Sequence, residues 1–285
     1  MRFTKAHSLG NDFLIVEPKE RGGIPDIPGF ARRVCNRHIG VGADGLILAT
    51  IEDKAKALAG FRIFNADGSE SEISGNGLRC AAAYFFAGKE ISGPKILFRT
   101  STGDRECDLI EIEGQPPRIR VEMGRPRFAS EDIPFDDGAR HERIVDYPLF
   151  IHGKTHPVTL VSMGNPHCAI FFENFPDRIE RLVIGREVEI HPFFPNRTNV
   201  SFFRQVDRHT IEVLFWERGA GETLSSGTGS TGAAAAAIYL GLAETPVRVL
   251  TPAGPLDIRF EGGAAFLTGP AEITAGGEYY FVTAP

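Results

Sequence analysis

Two short serine-glycine segments are the clearest candidates for chemistry in this chain. Ser74 opens the segment Ser-Gly-Asn-Gly, and Ser226 opens Ser-Gly-Thr-Gly 152 residues later, a spacing of about half the 285-residue chain. An alanine-rich stretch follows each segment and favours a buried helix. A glycine-rich helix start leaves backbone N–H groups open to a ligand, and the helix dipole adds partial positive charge there. Each segment is therefore predicted to bind an anion.

The repeated segments predict a duplicated domain, with one central helix in each half. These helices are expected at 77–87 and 229–240. Strands are expected to outnumber helices, because many short apolar or alternating runs are present. The clearest strand predictions are 13–16, 45–49, 119–123, 157–162, 168–172, 210–215 and 258–260. The charged, glycine- and proline-punctuated stretch 124–138 predicts the boundary between the halves.

The two serines suggest proton chemistry on both faces of one carbon. If both helix starts bind the same carboxylate, Ser74 and Ser226 lie on opposite sides of the adjacent carbon, which suits chemistry at a stereocentre. Helix capping alone is the simpler interpretation, since serine and glycine are common at helix starts. Two copies at half-chain spacing argue against it.

A dinucleotide site is a further alternative, because residues 227–232 match the Gly-x-Gly-x-x-Gly fingerprint. Its expected context is poor. A polar loop separates the glycines from the apolar strand that ends near Trp216, and the alternation of strand, helix and strand is expected to be missing. This interpretation is therefore disfavoured.

Composition excludes several classes of partner. The formal net charge is −6 and no lysine or arginine run stands out, so nucleic acid is not expected. No apolar stretch suits a signal peptide or a membrane span, which predicts a cytoplasmic protein without membrane contact. The four cysteines are scattered without Cys-x-x-Cys spacing, which predicts reduced, buried thiols and no metal site; they are Cys35, Cys80, Cys107 and Cys168.

Further motifs surround the two serine-glycine segments. They are HSLGNDF at 7–13, RHIGVGADG at 37–45, NADGSE at 65–70, GNGLRC at 75–80, GNPH at 164–167, RTNV at 197–200 and ERGAGET at 217–223. With these motifs the sequence resembles the diaminopimelate epimerase family over nearly its whole length.

The resemblance implies an α/β (α+β) fold of two similar domains, each a β-barrel-like sheet around a central helix, related by a pseudo-two-fold duplication. The first domain would comprise 1–126, completed by a C-terminal strand at 274–285, and the second would comprise 127–273. The family needs neither pyridoxal phosphate nor a metal, so no cofactor is expected. The expected partner is a small amino acid, diaminopimelate first, and a homodimer is plausible by family analogy.

The resemblance also assigns roles within the site. The groups that hold the substrate's α-carboxylate and amine would be Gly75, Asn76, Gly227 and Thr228. Those that hold the distal amino-acid head would be Asn11, Asn65, Asn165, Asn199, Glu217 and Arg218. Amides can serve an ammonium and a carboxylate together, and an arginine grips a carboxylate with two N–H groups. His167 resembles the family histidine beside the catalytic pair, and the resemblance places His167 and Glu217 with Ser74 and Ser226 among the catalytic residues.

The sequence departs from the family at the two reacting positions. The family has cysteines there, one a thiolate base and the other a thiol acid, whereas this chain has Ser74 and Ser226. A thiol with an ordinary pKa of about 8.5 can serve in both forms near neutrality, but a serine hydroxyl is a far weaker acid.

Three explanations of the two serines remain open: replaced thiols, a natural relative that binds an amino acid with little epimerisation, or hydroxyl chemistry aided by His167. The corresponding functions are an epimerase that interconverts LL- and meso-diaminopimelate in lysine biosynthesis, a non-catalytic amino-acid-binding protein, and a lyase or dehydratase acting at an amino-acid α-carbon.

Overall fold

The computed structural model describes residues 1–17, 26–111 and 117–280. The chain divides into two compact units, which we call unit 1 (Met1–Glu122 with Thr268–Pro285) and unit 2 (Met123–Leu267). The domain boundaries inferred from the sequence, 1–126 with 274–285 and 127–273, stay a prediction. Of the C-terminal strand expected at 274–285, residues 281–285 lie outside the described part of the chain.

The described residues form a mixed α/β fold in which strands outnumber helices. The elements of residues 1–124 are β1 (Arg2–Ser8), β2 (Asn11–Val16), α1 (Ile27–Val34), β3 (Gly45–Asp53), β4 (Leu58–Asn65), β5 (Glu70–Ser71), α2 (Gly75–Ala87), β6 (Lys95–Thr100), β7 (Gly103–Ile110) and β8 (Arg118–Gly124). Those that follow are β9 (Tyr147–Ile151), β10 (Lys154–Ser162), β11 (Pro166–Phe171), α3 (Arg178–Glu189), β12 (Asn199–Asp207), β13 (Thr210–Glu217), β14 (Gly221–Thr223), α4 (Gly227–Tyr239), β15 (Val247–Thr251), β16 (Gly254–Glu261), β17 (Ala264–Pro270) and β18 (Glu272–Glu278).

The two units repeat the same order of connections. In unit 1, α1 joins the parallel pair β2 and β3, and the segment β5–α2 joins the parallel pair β4 and β6. In unit 2, α3 joins the parallel pair β11 and β12, and β14–α4 joins the parallel pair β13 and β15. A helix is the usual connection between parallel neighbours, because the chain must return to the same end of the sheet.

This topology corrects one expectation. Around the glycines at 227–232 the alternation of strand, helix and strand was expected to be missing, yet β13 and β15 are parallel and α4 lies between them in the chain. The short strand β14 pairs with β13 before the helix begins, so the glycines follow a hairpin and not the parallel strand itself. That extra hairpin distinguishes the segment from the dinucleotide-binding turn.

The two predicted helices are present and each begins two residues earlier than expected. Ser74 caps α2 by accepting from the Gly77 N–H, and Ser226 caps α4 by accepting from the Gly229 N–H. Both caps have extended backbone, which is typical of serine at this position. The helices are almost wholly buried because alanine and glycine let strands pack close around them.

Two other helices were missed. The eight residues of α1 include a proline near the start, and they follow the cap Asp26, whose side chain accepts from the Gly29 N–H. The α3 helix follows the cap Asp177 and is mostly polar, with only its inner face buried. In both cases the signal was a capping aspartate and a narrow apolar stripe, which is weaker than an alanine-rich run.

The predicted strand segments all lie in observed strands, except that β11 ends at Phe171. Unit 1 also contains β18, which pairs antiparallel with β1, while the Met1 amino group donates to the Tyr279 carbonyl over 3.0 Å. No described helix is long and apolar enough to cross a membrane. All four cysteines are buried and unbridged, as predicted.

Candidate active site

The start of α2 carries the first predicted site residues. The Ser74 hydroxyl accepts from the Gly77 N–H at 3.1 Å. Asn76 is 5% exposed, and its side-chain N–H donates to Asn11 Oδ1 at 3.1 Å. Asn11 begins β2, so the helix start and the strand start contact each other. In unit 1 Asn76 therefore contacts Asn11 close to Ser74, and the roles of these residues toward a ligand stay a prediction.

Asn65 is placed differently. It ends β4, and its side chain donates to the Ser69 hydroxyl at 2.9 Å in the turn before β5. The backbone N–H of Asn65 donates to the Ser69 carbonyl at 2.8 Å. Asn65 thus closes the hairpin that leads to α2, which leaves its role toward a ligand a prediction.

At the start of α4 the capping serine contacts a carboxyl group, and none of the described residues offers one to Ser74 at the start of α2. The Ser226 hydroxyl donates to Glu217 Oε1 at 2.8 Å, and its oxygen accepts from the Gly229 N–H at 3.2 Å. Burial raises the pKa of the Glu217 carboxyl, while the hydrogen bond from Ser226 opposes that rise. Ser226 is 4% exposed. Its hydroxyl contacts both a carboxyl group and the N-terminus of a helix. This is an arrangement that can move a proton off the oxygen.

His167 is buried beside the same helix. It is 1% exposed, and burial, together with the positive charge of Arg218, lowers the pKa of its imidazole to about 3. The ring is therefore neutral at physiological pH. Its Nε2 lies 2.9 Å from Asn165 Oδ1, and Asn165 Nδ2 in turn lies 3.5 Å from the Thr228 hydroxyl. His167, Asn165 and Thr228 thus form one polar chain, and His167 Nδ1 is buried without a hydrogen-bond partner among the described residues.

Asn199 and Arg218, which were both assigned to the distal head of the substrate, contact each other in unit 2. The Asn199 side chain donates to the Pro166 carbonyl at 2.9 Å and accepts from the Arg218 N–H at 3.0 Å. The Arg218 guanidinium donates to the Asn196 carbonyl at 2.9 Å, and Arg218 is exposed. Asn199 therefore fixes the backbone at Arg218, and the guanidinium keeps further donors for a ligand.

Three residues near these sites were missed. Arg79 is fully buried on α2 and donates to Asn76 Oδ1 at 2.5 Å, and Asp44 accepts from Asn11 at 2.8 Å. Glu189, at the end of α3, accepts from the Trp216 indole at 2.7 Å and from the Gly219 N–H at 2.9 Å. Glu189 thereby holds the turn that carries Glu217 and Arg218. For Arg79 there was a signal, a lone cation in an otherwise apolar helix, which needs a specific partner when buried.

Comparison of structures identifies the fold class first. A probable proline racemase from Agrobacterium radiobacter, solved with bound carbonate, superposes with a TM-score of 0.71 at 13% identity, and 99% of this chain and 93% of that chain are covered. The chain therefore has the mixed α/β fold of that racemase.

Sequence comparison then identifies the family. A family model for diaminopimelate epimerase matches residues 3–129 and 159–274. The diaminopimelate epimerase of Pelotomaculum thermopropionicum is 41% identical over 99% of this chain and all of its own length. That of Moorella thermoacetica is 41% identical, with 95% of this chain and 96% of its own length covered. This chain belongs to the diaminopimelate epimerase family.

Proposed function

We propose that this chain is a cofactor-independent amino-acid epimerase that interconverts LL- and meso-2,6-diaminopimelate in lysine biosynthesis. Family membership and the full-length relatives of that name support the substrate. The observation that carries the chemistry is the hydrogen bond from the Ser226 hydroxyl to the Glu217 carboxyl at the start of α4. A hydroxyl held in this way can exchange its proton without help from a bound cofactor.

Proton transfer in unit 2 would use Ser226 and Glu217 as a pair. When the Ser226 oxygen accepts the substrate's α-proton, its own proton passes to Glu217, the carbon–hydrogen bond breaks and its electrons delocalise toward the substrate carboxylate. The N-terminus of α4 stabilises that negative charge. Ser74 in unit 1 would give its hydroxyl proton to the opposite face of the α-carbon, and water would then return a proton to the Ser74 oxygen and remove the proton held by Glu217. The same two steps in reverse convert the product back.

Serine makes this reaction slow, because neither helix dipole nor neighbouring groups bring an alcohol into the pKa range of a thiol. The proposal therefore predicts a weak exchange activity that cysteine would strengthen. Each unit would be one half of the fold, a β-barrel-like sheet around its central helix, α2 or α4. A homodimer and a cytoplasmic location follow from the same family analogy.

The test is proton NMR of LL-diaminopimelate in D₂O with this chain and with Ser74→Cys/Ser226→Cys. We expect the α-proton signal to vanish in both samples as deuterium enters, at least about 10²-fold faster with the double-cysteine variant. Because the four native cysteines and position 226 are buried, whereas position 74 is partly exposed, a thiol reagent should label chiefly the cysteine introduced at 74 in the folded variant.

Each outcome has a distinct meaning. Exchange that occurs only in the double-cysteine variant supports the epimerase site and assigns the chain as it stands to amino-acid binding. No exchange in either folded protein, with no heat of binding for diaminopimelate by calorimetry, rejects the proposed substrate. An unsaturated or keto product in place of deuterated diaminopimelate would instead indicate a lyase.

A further inference from the structure

A continuous polar chain runs through unit 1 from α2 to the loop before β3. The Arg79 guanidinium donates to Asn76 Oδ1 at 2.5 Å, and Asn76 Nδ2 donates to Asn11 Oδ1 at 3.1 Å. Asn11 Nδ2 then donates to Asp44 Oδ2 at 2.8 Å. Arg37 contacts the other oxygen of Asp44 at 2.8 Å. Four side chains are thus linked in series, with an ion pair at the far end.

The two ends of this chain have opposite and fixed hydrogen-bonding character. A guanidinium has only donors and remains protonated, and an ionised carboxylate has only acceptors. Arg79 therefore requires the Asn76 oxygen to face it, which turns the Asn76 nitrogen toward Asn11. Asp44 requires the Asn11 nitrogen to face it, which turns the Asn11 oxygen toward Asn76. Both requirements agree, so neither amide can rotate by 180° without breaking two hydrogen bonds.

This fixed orientation decides what the two amides can offer a ligand. Each amide nitrogen has two hydrogens, and the chain uses one of each. Asn76 and Asn11 therefore each retain one N–H donor, while both of their oxygens are already engaged. The N–H groups at the start of α2 add further donors in the same region. The local chemistry favours an anionic group such as a carboxylate.

Arg79 is suited to this task because its other hydrogen bonds hold it in place. The guanidinium donates to the Ser8 hydroxyl at 2.6 and 3.0 Å and to the Gly75 carbonyl at 3.3 Å. Ser8 in turn donates to the Pro270 carbonyl at 2.7 Å. The guanidinium is fully buried, and it donates to hydroxyl, amide and carbonyl oxygens. Its positive charge therefore adds to the field at the start of α2.

We propose that Arg79 and Asp44 are positioning residues that lock the Asn76 and Asn11 amides with their N–H groups toward the ligand, and so make this site selective for a carboxylate. The inference deepens the proposed function and rests on it for the identity of the ligand. Arg79 does not itself touch the substrate in this proposal. It acts through Asn76.

The test compares Arg79→Met, which keeps the length of the side chain and removes all donors, with Arg79→Lys, which keeps a buried charge and a donor for Asn76. The matched control is Thr231→Val, the position 152 residues later on α4, where the hydroxyl donates to the Gly227 carbonyl of its own helix. Binding of LL-diaminopimelate is measured by calorimetry. The side-chain amide signals of Asn76 and Asn11 are followed by ¹H–¹⁵N NMR without ligand.

We expect Arg79→Met to weaken binding at least about tenfold and to shift both amide pairs with faster solvent exchange. Arg79→Lys should recover most of both effects, and Thr231→Val should change neither. Unaltered Asn76 and Asn11 signals in folded Arg79→Met would overturn the proposal, as would equal affinity. If the chain itself does not bind diaminopimelate, the proposed function fails, whereas the amide signals still decide whether Arg79 positions Asn76.

Discussion

The two helix starts share a backbone design but differ in the polarity of the networks around them. In unit 1 the chain of hydrogen bonds ends in Arg79 and Asp44, which can only donate and only accept. In unit 2 the chain ends in His167 and Thr228, and both an imidazole and a hydroxyl can do either. The Asn165 amide between them can therefore reverse together with the imidazole tautomer. The side-chain amides therefore have a fixed orientation in unit 1, whereas the Asn165 amide in unit 2 can adopt either orientation.

The two units also differ in charge at positions that correspond in the repeat. Arg79 on α2 corresponds to Thr231 on α4, and Asn65 at the end of β4 corresponds to Glu217 at the end of β13. Unit 1 thus has an extra cation, Arg79, near the start of α2. In unit 2 a carboxyl group, that of Glu217, accepts a hydrogen bond from the capping serine. A duplicated element can keep its anion-binding geometry while its halves divide the work, with one set to hold a carboxylate and the other to exchange a proton.

The largest expected effect comes from removing the carboxyl group that distinguishes unit 2. In the Ser74→Cys/Ser226→Cys background, Glu217→Gln should slow α-proton exchange of LL-diaminopimelate by about 10²-fold or more, because the proton acceptor beside position 226 is lost. Glu222→Gln is the control, since Glu222 lies nearby on β14 in an exposed pair with Arg178. Equal slowing by both variants would remove the special role of Glu217.

The same substitution gives a pH test without substrate. Burial raises the folded-state pKa of Glu217, so its stabilising contribution is complete at acid pH and is lost as the pH rises through that pKa. The thermal unfolding midpoint of Glu217→Gln should therefore rise relative to that of the parent as the pH increases from acid to neutral. A constant difference over that range would contradict the burial of an ionisable carboxyl there.

His167 should have the next largest effect. Its folded pKa of about 3 lies below the ordinary value of 6.5, so below pH 6.5 the unfolded chain binds a proton that the folded chain does not. The parent should lose about 2 kcal/mol of stability between pH 7 and pH 5 on this account, at about 1.4 kcal/mol per pH unit below 6.5. His167→Gln removes the titrating ring. Urea unfolding at the two pH values should show a smaller loss in the variant, and an equal loss would mean that the ring is protonated in the folded state.

The smallest effect comes from two glycines on α4. A Cβ at Gly229 would lie 3.0 Å from the Ser226 oxygen and from Phe215, so Gly229→Ala should displace the cap and lower stability by about 1 kcal/mol. A Cβ at Gly232 would lie 3.6 Å from His167, an ordinary contact, so Gly232→Ala should raise stability by up to about 1 kcal/mol. Thermal unfolding measures both. A loss at Gly232 as large as that at Gly229 would mean that the whole helix, and not only its start, requires glycine.

The parts of the fold that could be predicted are those with strong local signals. The capping serines and the alanine-rich stretches located α2 and α4, and short apolar runs located strands such as β3 and β13. The polar helix α3 and the short helix α1 were missed because their caps are single aspartates and their apolar faces are narrow. The parallel pairing of β13 with β15 is a long-range contact, which local periodicity does not encode.

The candidate site was predictable to a similar degree. The glycine-containing motifs were sufficient to propose Asn11, Asn76, Asn165 and Glu217 as candidate ligand contacts, because amide and acid side chains in such motifs can be recognised from the sequence alone. The residues that orient them were not found. Asp44 contacts Asn11 across 33 residues of the chain, and Arg79, although it lies one helical turn after Asn76 on α2, also had to be known to be buried before its contact with Asn76 could be expected. Residues that could contact a ligand can be proposed from their type, whereas those that position them depend on tertiary contacts.

The pairing of β1 with β18 links the first and last described strands of unit 1, and it has a consequence for the order of synthesis. All of unit 2 emerges from the ribosome before β18 does, so unit 2 can fold while β1 still lacks its outer neighbour. Unit 1 waits for the synthesis of β18, with β1 as an open edge that can pair with other chains in the meantime. The helix start with the fixed polar network is then the later of the two to be completed.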